Sequence, residues 1–149
     1  MEITDEILAQ VRRFMSELVP FNAFLGIEVD ALTSGHATLS LPFRVEFIGD
    51  STRTPPALHG GLIATLLDTC GGAAVWSTVQ PTDKVSTIDM RVDYLRPGRS
   101  ERLIAEAQVI RSGNLVGVTA MRAYHPSDPT HTIAEGRGVY NIKRRGVSA

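Results

Sequence analysis

The sequence predicts an α+β fold in which a six-stranded antiparallel sheet wraps one long central helix, with an extra helix at the N-terminus. Three observations point to it. Residues 54–82 carry a single formal charge, Asp68, and from His59 to about residue 79 the pattern is apolar on almost every side of a helix. A helix of that kind must be covered all round. Six further segments read as strands, two before this helix and four after it. The turns between the last four are too short for a crossover helix, so neighbouring strands run antiparallel and their sheet is the natural cover for the helix.

Each element has its own local reason. Residues 4–18 form an amphipathic helix: Ile7, Leu8, Val11, Phe14, Met15 and Leu18 recur at helical spacing, Thr4 can cap, and Asp5 and Glu6 suit the positive first turn. Pro20 is expected to close it. Strands are expected at 24–32 and 36–43, joined by Thr33-Ser34-Gly35. In the second, Ala37, Leu39, Leu41 and Phe43 alternate with His36, Thr38, Ser40 and Pro42. Residues 49–58, with Asp50, Ser51 and Pro55-Pro56, read as loop. Later strands are expected at 84–95, 102–111, 115–124 and 130–142, with turns at Arg96-Pro97-Gly98, Arg111-Ser112-Gly113-Asn114 and residues 125–129. In 84–95, Ile88, Met90, Val92 and Tyr94 make the apolar face, which turns Thr87 to the other side and Ser86 to the apolar one. Residues 143–149 are expected to form a flexible basic tail.

At 149 residues the chain has the length of one domain, and residues 1–149 are read as such. Apolar content of 43% and charged content of 21% exclude a disordered or coiled-coil chain. Fifteen basic against sixteen acidic residues leave a net charge of −1, so no nucleic-acid partner is expected. No stretch is long and apolar enough to span a bilayer, and the N-terminus lacks the order of a secretion signal; a cytoplasmic protein with no membrane partner is expected. The single cysteine, Cys70, excludes an internal disulfide and reads as core. His125, Asp128 and His131 share a loop with no matching ligand set elsewhere, so no metal is expected. Gly136-Arg137-Gly138 lies in a strand with no helix after it and is no dinucleotide loop. A domain this small has limited means of enclosing a substrate alone.

The chemistry concentrates on the apolar helix. A carboxylate among Leu62, Ile63, Leu66, Leu67, Ala73, Ala74, Val75 and Trp76 is costly to desolvate unless it is hydrogen-bonded or reaches solvent, an interface or a cavity. Helical spacing groups Asp68 with Gly61, Ala64, Thr65, Gly71 and Gly72, a small-residue face that another backbone or a ligand can approach. His59-Gly60-Gly61 stands at the helix start, where the first amides lack intrahelical acceptors and carry the positive end of the dipole. Glycine there opens those amides to a ligand oxygen, although a glycine-rich turn with a capping or core histidine has the same pattern. Amides that polarise a carbonyl and a carboxylate about two turns later form one site if both face the same cavity.

The segments Leu58-His59-Gly60-Gly61-Leu62-Ile63-Ala64-Thr65-Leu66-Leu67-Asp68-Thr69 and Val85-Ser86-Thr87-Ile88-Asp89-Met90-Arg91-Val92-Asp93-Tyr94-Leu95-Arg96-Pro97 resemble the hotdog-fold acyl-CoA thioesterases of the phenylacetate-pathway (PaaI-like) type. The resemblance implies a sheet that pairs with that of a second subunit, active sites at the subunit interface, and a homodimer or homotetramer. It implies hydrolysis of an acyl-CoA to free coenzyme A and a carboxylic acid, with no cofactor, since coenzyme A is part of the substrate. By matching position, Asp68 is the base or nucleophile and the Gly60 amide polarises the thioester carbonyl, beside Gly61. His59 shapes the turn, and Thr87 stands where many members carry a hydroxyl that orients water, with Ser86 as the alternative. Arg96 and Arg111, with Ser112, Gly113 and Asn114, are candidates for the coenzyme A phosphates, and Trp76, Phe47 and Leu58 for apolar walls. Where many members place an asparagine before His-Gly-Gly, the candidate positions here hold Asp50 and Arg53. Two other readings use the same residues. One is a hotdog enoyl-thioester hydratase or dehydratase with His59 and Asp68 as its acid–base pair, and the other is a non-catalytic acyl-thioester-binding module.

Overall fold

Helix α1 (Asp5–Arg13) starts as its cap residue dictates, with the Thr4 side chain accepting the Ile7 amide at 3.3 Å. The computed structural model describes residues 2–146. The helix widens into a π-helical turn, Phe14–Leu18, and Pro20 then opens a second helix, α2 (Pro20–Leu25), instead of closing the first. Proline suits this place because the first position of a helix needs no amide donor. Gly26, at φ +76°, ends α2 by donating its amide to the Asn22 and Ala23 carbonyls. The strand expected from residue 24 is therefore helical at its start, and β1 spans Glu28–Thr33.

The remaining elements follow the expected order with trimmed ends. They are β2 (His36–Leu41), the central helix α3 (Gly60–Trp76), β5 (Lys84–Tyr94), β6 (Leu103–Ser112), β7 (Val116–Tyr124) and β8 (Ala134–Lys143). Within the stretch expected as loop lies a small antiparallel ribbon of β3 (Ile48–Asp50) and β4 (Ala57–Leu58). Of the expected tail, Lys143 closes β8 and Arg144 pairs with the Asp83 carboxylate at 2.9 Å, while residues 147–149 lie outside the described residues.

The main sheet is antiparallel throughout, in the order β1-β2-β6-β7-β8-β5. It curls around α3, which packs on β2, β5, β6, β7 and β8. Leu66, Leu67, Cys70 and Ala74 of α3 are fully enclosed in one cluster with Leu39, Ala105 and Ala123, and Val75 is enclosed in a second with Val79, Tyr140 and Ile142. Removing that much apolar surface from water is the main stabilising term of the fold. Gly71 belongs to this inner face and not to the half-exposed one expected for it. Tyr140 and Met121 of the sheet occupy the space its Cβ would need. Burial pushes the Cys70 thiol up, and its sulfur points at the Ala37 and Ala105 carbonyls, so it is a core residue and not a nucleophile.

One irregularity in β5 decides what reaches α3. The register against β8 shifts between Thr87 and Asp89, so Ile88 is an extra residue in a β-bulge. A bulge reverses the in–out alternation beyond it. Met90 and Val92 face the core as expected, whereas Ile88 is 58% exposed and Thr87 lies on the helix side. The expected parity of Thr87 and Ser86 is thereby corrected: Ser86 takes the outer face and Thr87 the inner one.

Candidate active site

The site is built on α3 from its N-terminus. His59 caps the helix, its Nδ1 accepting the Gly61 amide at 2.9 Å, which leaves the ring proton on Nε2. On the other side the Tyr94 hydroxyl donates to the Gly60 carbonyl at 2.8 Å. The peptide between Gly60 and Gly61 is thus held at its carbonyl by Tyr94 and at its amide by His59. A Cβ on Gly60 would lie 3.3 Å from the Tyr94 ring, and one on Gly61 would lie 3.0 Å from the His59 ring. Both glycines are explained by these close rings, with no unusual dihedral involved. The Gly60 amide itself is the first of the helix and has no acceptor among the described residues. It is an open donor on the positive end of the dipole, suited to an oxygen that gains negative charge.

Asp68 sits two turns further on, half-buried. The Thr87 hydroxyl donates to its Oδ1 at 2.7 Å, made possible by the bulge at Ile88. The Asp68 backbone carbonyl accepts the Tyr140 hydroxyl at 3.0 Å. Burial holds the Tyr140 hydroxyl well above its usual pKa, so it remains a donor. Among the described residues no cation pairs with Asp68, and Oδ2 makes no hydrogen bond. The carboxylate is oriented by one hydroxyl and open on its other side.

Gly60 and Asp68 are separated by about 12 Å of helical rise, eight residues at 1.5 Å each. One carbonyl group cannot touch both within a single chain. The face of α3 that carries them, with Gly61, Ala64, Thr65 and Gly72 between and around, is half-exposed and made of small residues.

The other sequence candidates divide between the two ends of α3. Arg96 lies at the Gly60 end, its guanidinium donating to the Thr132 carbonyl at 2.7 Å and lining a cavity of about 150 Å³ with Pro97, Arg99, His125, Asp128 and His131. His125 there is buried with both ring nitrogens engaged, by the Arg102 carbonyl and the Arg99 amide. Arg111, Ser112, Gly113 and Asn114 lie at the opposite end, where the Ser112 and Thr78 hydroxyls meet at 3.0 Å, about 25 Å along the helix from Gly60. Of the expected apolar walls, Phe47 lies beside His59, Leu58 is buried under Gly98, and Trp76 is at the far end of α3. Asp50 accepts both the hydroxyl (2.6 Å) and the amide (2.9 Å) of Thr52, which lower its pKa, so it stays ionised and donates to nothing.

Sequence reasoning did not single out Tyr94 or Tyr140 as site residues. The available signal for Tyr140 was the pair of glycines, Gly71 and Gly138, whose missing side chains make room for its ring. For Tyr94 no sequence signal distinguishes a hydroxyl on the site from an apolar strand residue.

The profile of the thioesterase superfamily matches residues 56–130. The chain is 35% identical over 120 residues to the medium/long-chain acyl-CoA thioesterase YigI of Escherichia coli K12, covering 72% of this chain and 76% of that protein. The Salmonella typhimurium protein of the same name is 34% identical over 83% of this chain and 86% of its own. Among solved structures, a thioesterase family protein from Silicibacter pomeroyi superposes with a TM-score of 0.81 at 27% identity, over 93% of this chain and 99% of that one. The PaaI protein from the phenylacetic acid degradation operon of E. coli shares the fold, with a TM-score of 0.78 at 24% identity over 94% and 95% of the two chains.

Proposed function

The chain belongs to the thioesterase superfamily as a PaaI-like hotdog thioester hydrolase, and from that premise we propose that it hydrolyses acyl-CoA at a site shared between two copies. The thioester carbonyl oxygen accepts the Gly60 amide of one copy, and Asp68 of the partner subunit serves as base or nucleophile. Water or the carboxylate adds to the carbonyl carbon, the developing oxyanion is stabilised by the Gly60 amide and the helix dipole, and the C–S bond breaks. Water supplies the new oxygen of the acid and the proton that coenzyme A carries away as a thiol. The reaction needs only the chain's own residues and water. Arg96 at the Gly60 end, and the partner subunit's Arg111, Ser112, Gly113 and Asn114, are proposed for the coenzyme A phosphates.

The observation that carries this reading is the 2.7 Å bond from Thr87 to Asp68, a hydroxyl that orients a carboxylate left open on its other oxygen. The 12 Å rise between Gly60 and Asp68 is the reason for the second copy. The surface for it is β5, an edge strand eleven residues long with exposed Ile88 and Tyr94, next to the small-residue face of α3. An edge of that length and polarity invites pairing with its own twin in an isologous dimer. The hydratase reading is weaker because His59 spends Nδ1 on the Gly61 amide, leaving no ring nitrogen free as a base.

The test is release of free thiol from short, long and aromatic acyl-CoAs, run beside enoyl-CoA hydration and sedimentation of the protein. Thiol release by a dimer or larger oligomer is expected. Hydration without thiol release, or full activity in a monomer, would overturn the reading.

Tyr94→Phe separates support of the amide from contact with substrate. Losing one neutral hydrogen bond behind the peptide is expected to lower kcat up to about tenfold with KM little changed. An unaltered kcat, or a loss confined to KM, would show that the hydroxyl does not position the Gly60 amide.

A further inference from the structure

Beside the catalytic turn lies a groove of about 480 Å³ that the reaction itself does not need. One end is His59, Gly61 and Thr65; the walls are Phe24, Phe47 and Leu62. The outer wall comes from α2, the helix that the sequence reading did not foresee. Phe24 is 67% exposed and Phe21 56%, large aromatic surfaces left in water at the rim. Arg44 holds this wall in place. Its guanidinium stacks on Phe24 at 5.1 Å and on Phe47 at 4.5 Å from the ring centroids. Its Nε is buried with no acceptor among the described residues, so stacking and not a hydrogen bond keeps the side chain there. The arginine is a strut between an anchored core ring and a ring on a short helix.

Resting on the thioesterase reading, we propose that this groove holds the acyl chain, and that Phe24, propped by Arg44, makes the site favour longer apolar chains over short ones. The occupant follows from continuity: a carbonyl at the Gly60 amide has its acyl carbons beside His59 and Gly61, which are the inner end of the groove. The volume lies within the range of roughly 300–1,000 Å³ in which proteins enclose small ligands. The lining is mostly apolar, with Arg44, Glu46, His59 and Thr65 as its polar side chains, so it rewards methylene groups along the phenylalanine wall. Length selection then depends on how far the chain reaches along Phe24.

Binding of S-alkyl-CoA thioethers, which cannot be hydrolysed, tests the groove apart from turnover. Calorimetry is run with S-ethyl- and S-decyl-CoA on wild type, Phe24→Ala and Arg44→Met, with the oligomeric state measured for each. In wild type the decyl compound is expected to bind at least tenfold more tightly than the ethyl one. In Phe24→Ala the decyl affinity falls about tenfold, as expected for a lost aromatic contact, while the ethyl affinity holds. Arg44→Met gives an intermediate loss of decyl affinity. Equal losses for both compounds, or no loss, would overturn the proposal. Dissociation of the oligomer in Phe24→Ala would overturn it too, because Phe24 would then belong to an interface between copies. If the thioethers bind as expected while no acyl-CoA releases thiol, the groove stands and the catalytic reading fails.

Discussion

Asp68→Asn is expected to lower kcat roughly 10³-fold, within the range that a positioned acid–base group contributes, with the fold unchanged. The substitution is nearly isosteric. The amide oxygen can still accept the Thr87 hydroxyl that now reaches Oδ1 at 2.7 Å, and the Tyr140 bond goes to the backbone and is untouched. What disappears is the ability to take a proton or to attack. Among the described residues Asp68 has no cationic partner, so neutralising it leaves no orphaned charge, and the melting temperature is expected to hold or to rise slightly. Asp68→Ala, which also removes the acceptor for Thr87, should be no more active. Thiol release and a thermal melt on the same preparations check both statements. Wild-type hydrolysis across an acyl-CoA panel by either variant would remove Asp68 from the mechanism.

Gly60→Pro is expected to cost roughly 10²–10³-fold in kcat, the scale of one oxyanion-hole donor, against a much smaller loss for Gly60→Ala. Position 60 permits this comparison because it is the first of α3, where proline is well accommodated. The preceding His59, at φ −62° and ψ 130°, already has the extended backbone that a following proline requires. Both variants introduce a Cβ near the Tyr94 ring, 3.3 Å from its Cε1, so that contact is shared and cancels. Only proline deletes the N–H. Equal activities in the two variants would show that the Gly60 amide does not bind the carbonyl oxygen. Mixing Gly60→Pro with Asp68→Asn extends the test to the assembly. Random pairing of chains restores one intact site in each mixed dimer, and activity is expected to recover to about a quarter of wild type. No recovery under conditions where subunits exchange would mean that each chain holds its own complete site.

Most of the architecture was readable from pattern alone. The apolar all-round helix, the alternation of β2 and the short turns between the last strands each impose one outcome. The misreadings were local and have local causes. Residues 24 and 25 read as the start of a strand and Pro20 as the end of the first helix, but Pro20 and Gly26 bracket a short helix that the Gly26 amide closes. The parity of β5 was misread because a bulge leaves no mark in an apolar-alternating run. Ile88 has the same chemistry as Met90 and Val92, and only the pairing with β8 tells it apart. Asp68 and Gly60 drew attention in the sequence through an unusual charge and a glycine pair at a helix start, and the roles proposed for them await the variants above. Tyr94 and Tyr140 did not, since a hydroxyl that meets a backbone carbonyl across the fold has no counterpart in local sequence. Arg111 through Asn114 were grouped with Arg96 by residue type, and the length of α3 separates them.

Deuterium uptake along α3 should divide sharply at its first residue. Leu66, Leu67, Cys70, Ala74 and Val75 are enclosed on all sides, so their amides exchange only when the whole fold opens. The Gly60 amide stands at the tip of that slowest segment yet has no acceptor, and it exchanges as a free peptide group does. The proton proposed to meet the substrate oxygen is thereby expected to be among the quickest lost from a helix otherwise enclosed by the sheet. Protection acquired there on adding ligand reports occupancy of the carbonyl position, one nucleus at a time and with no turnover.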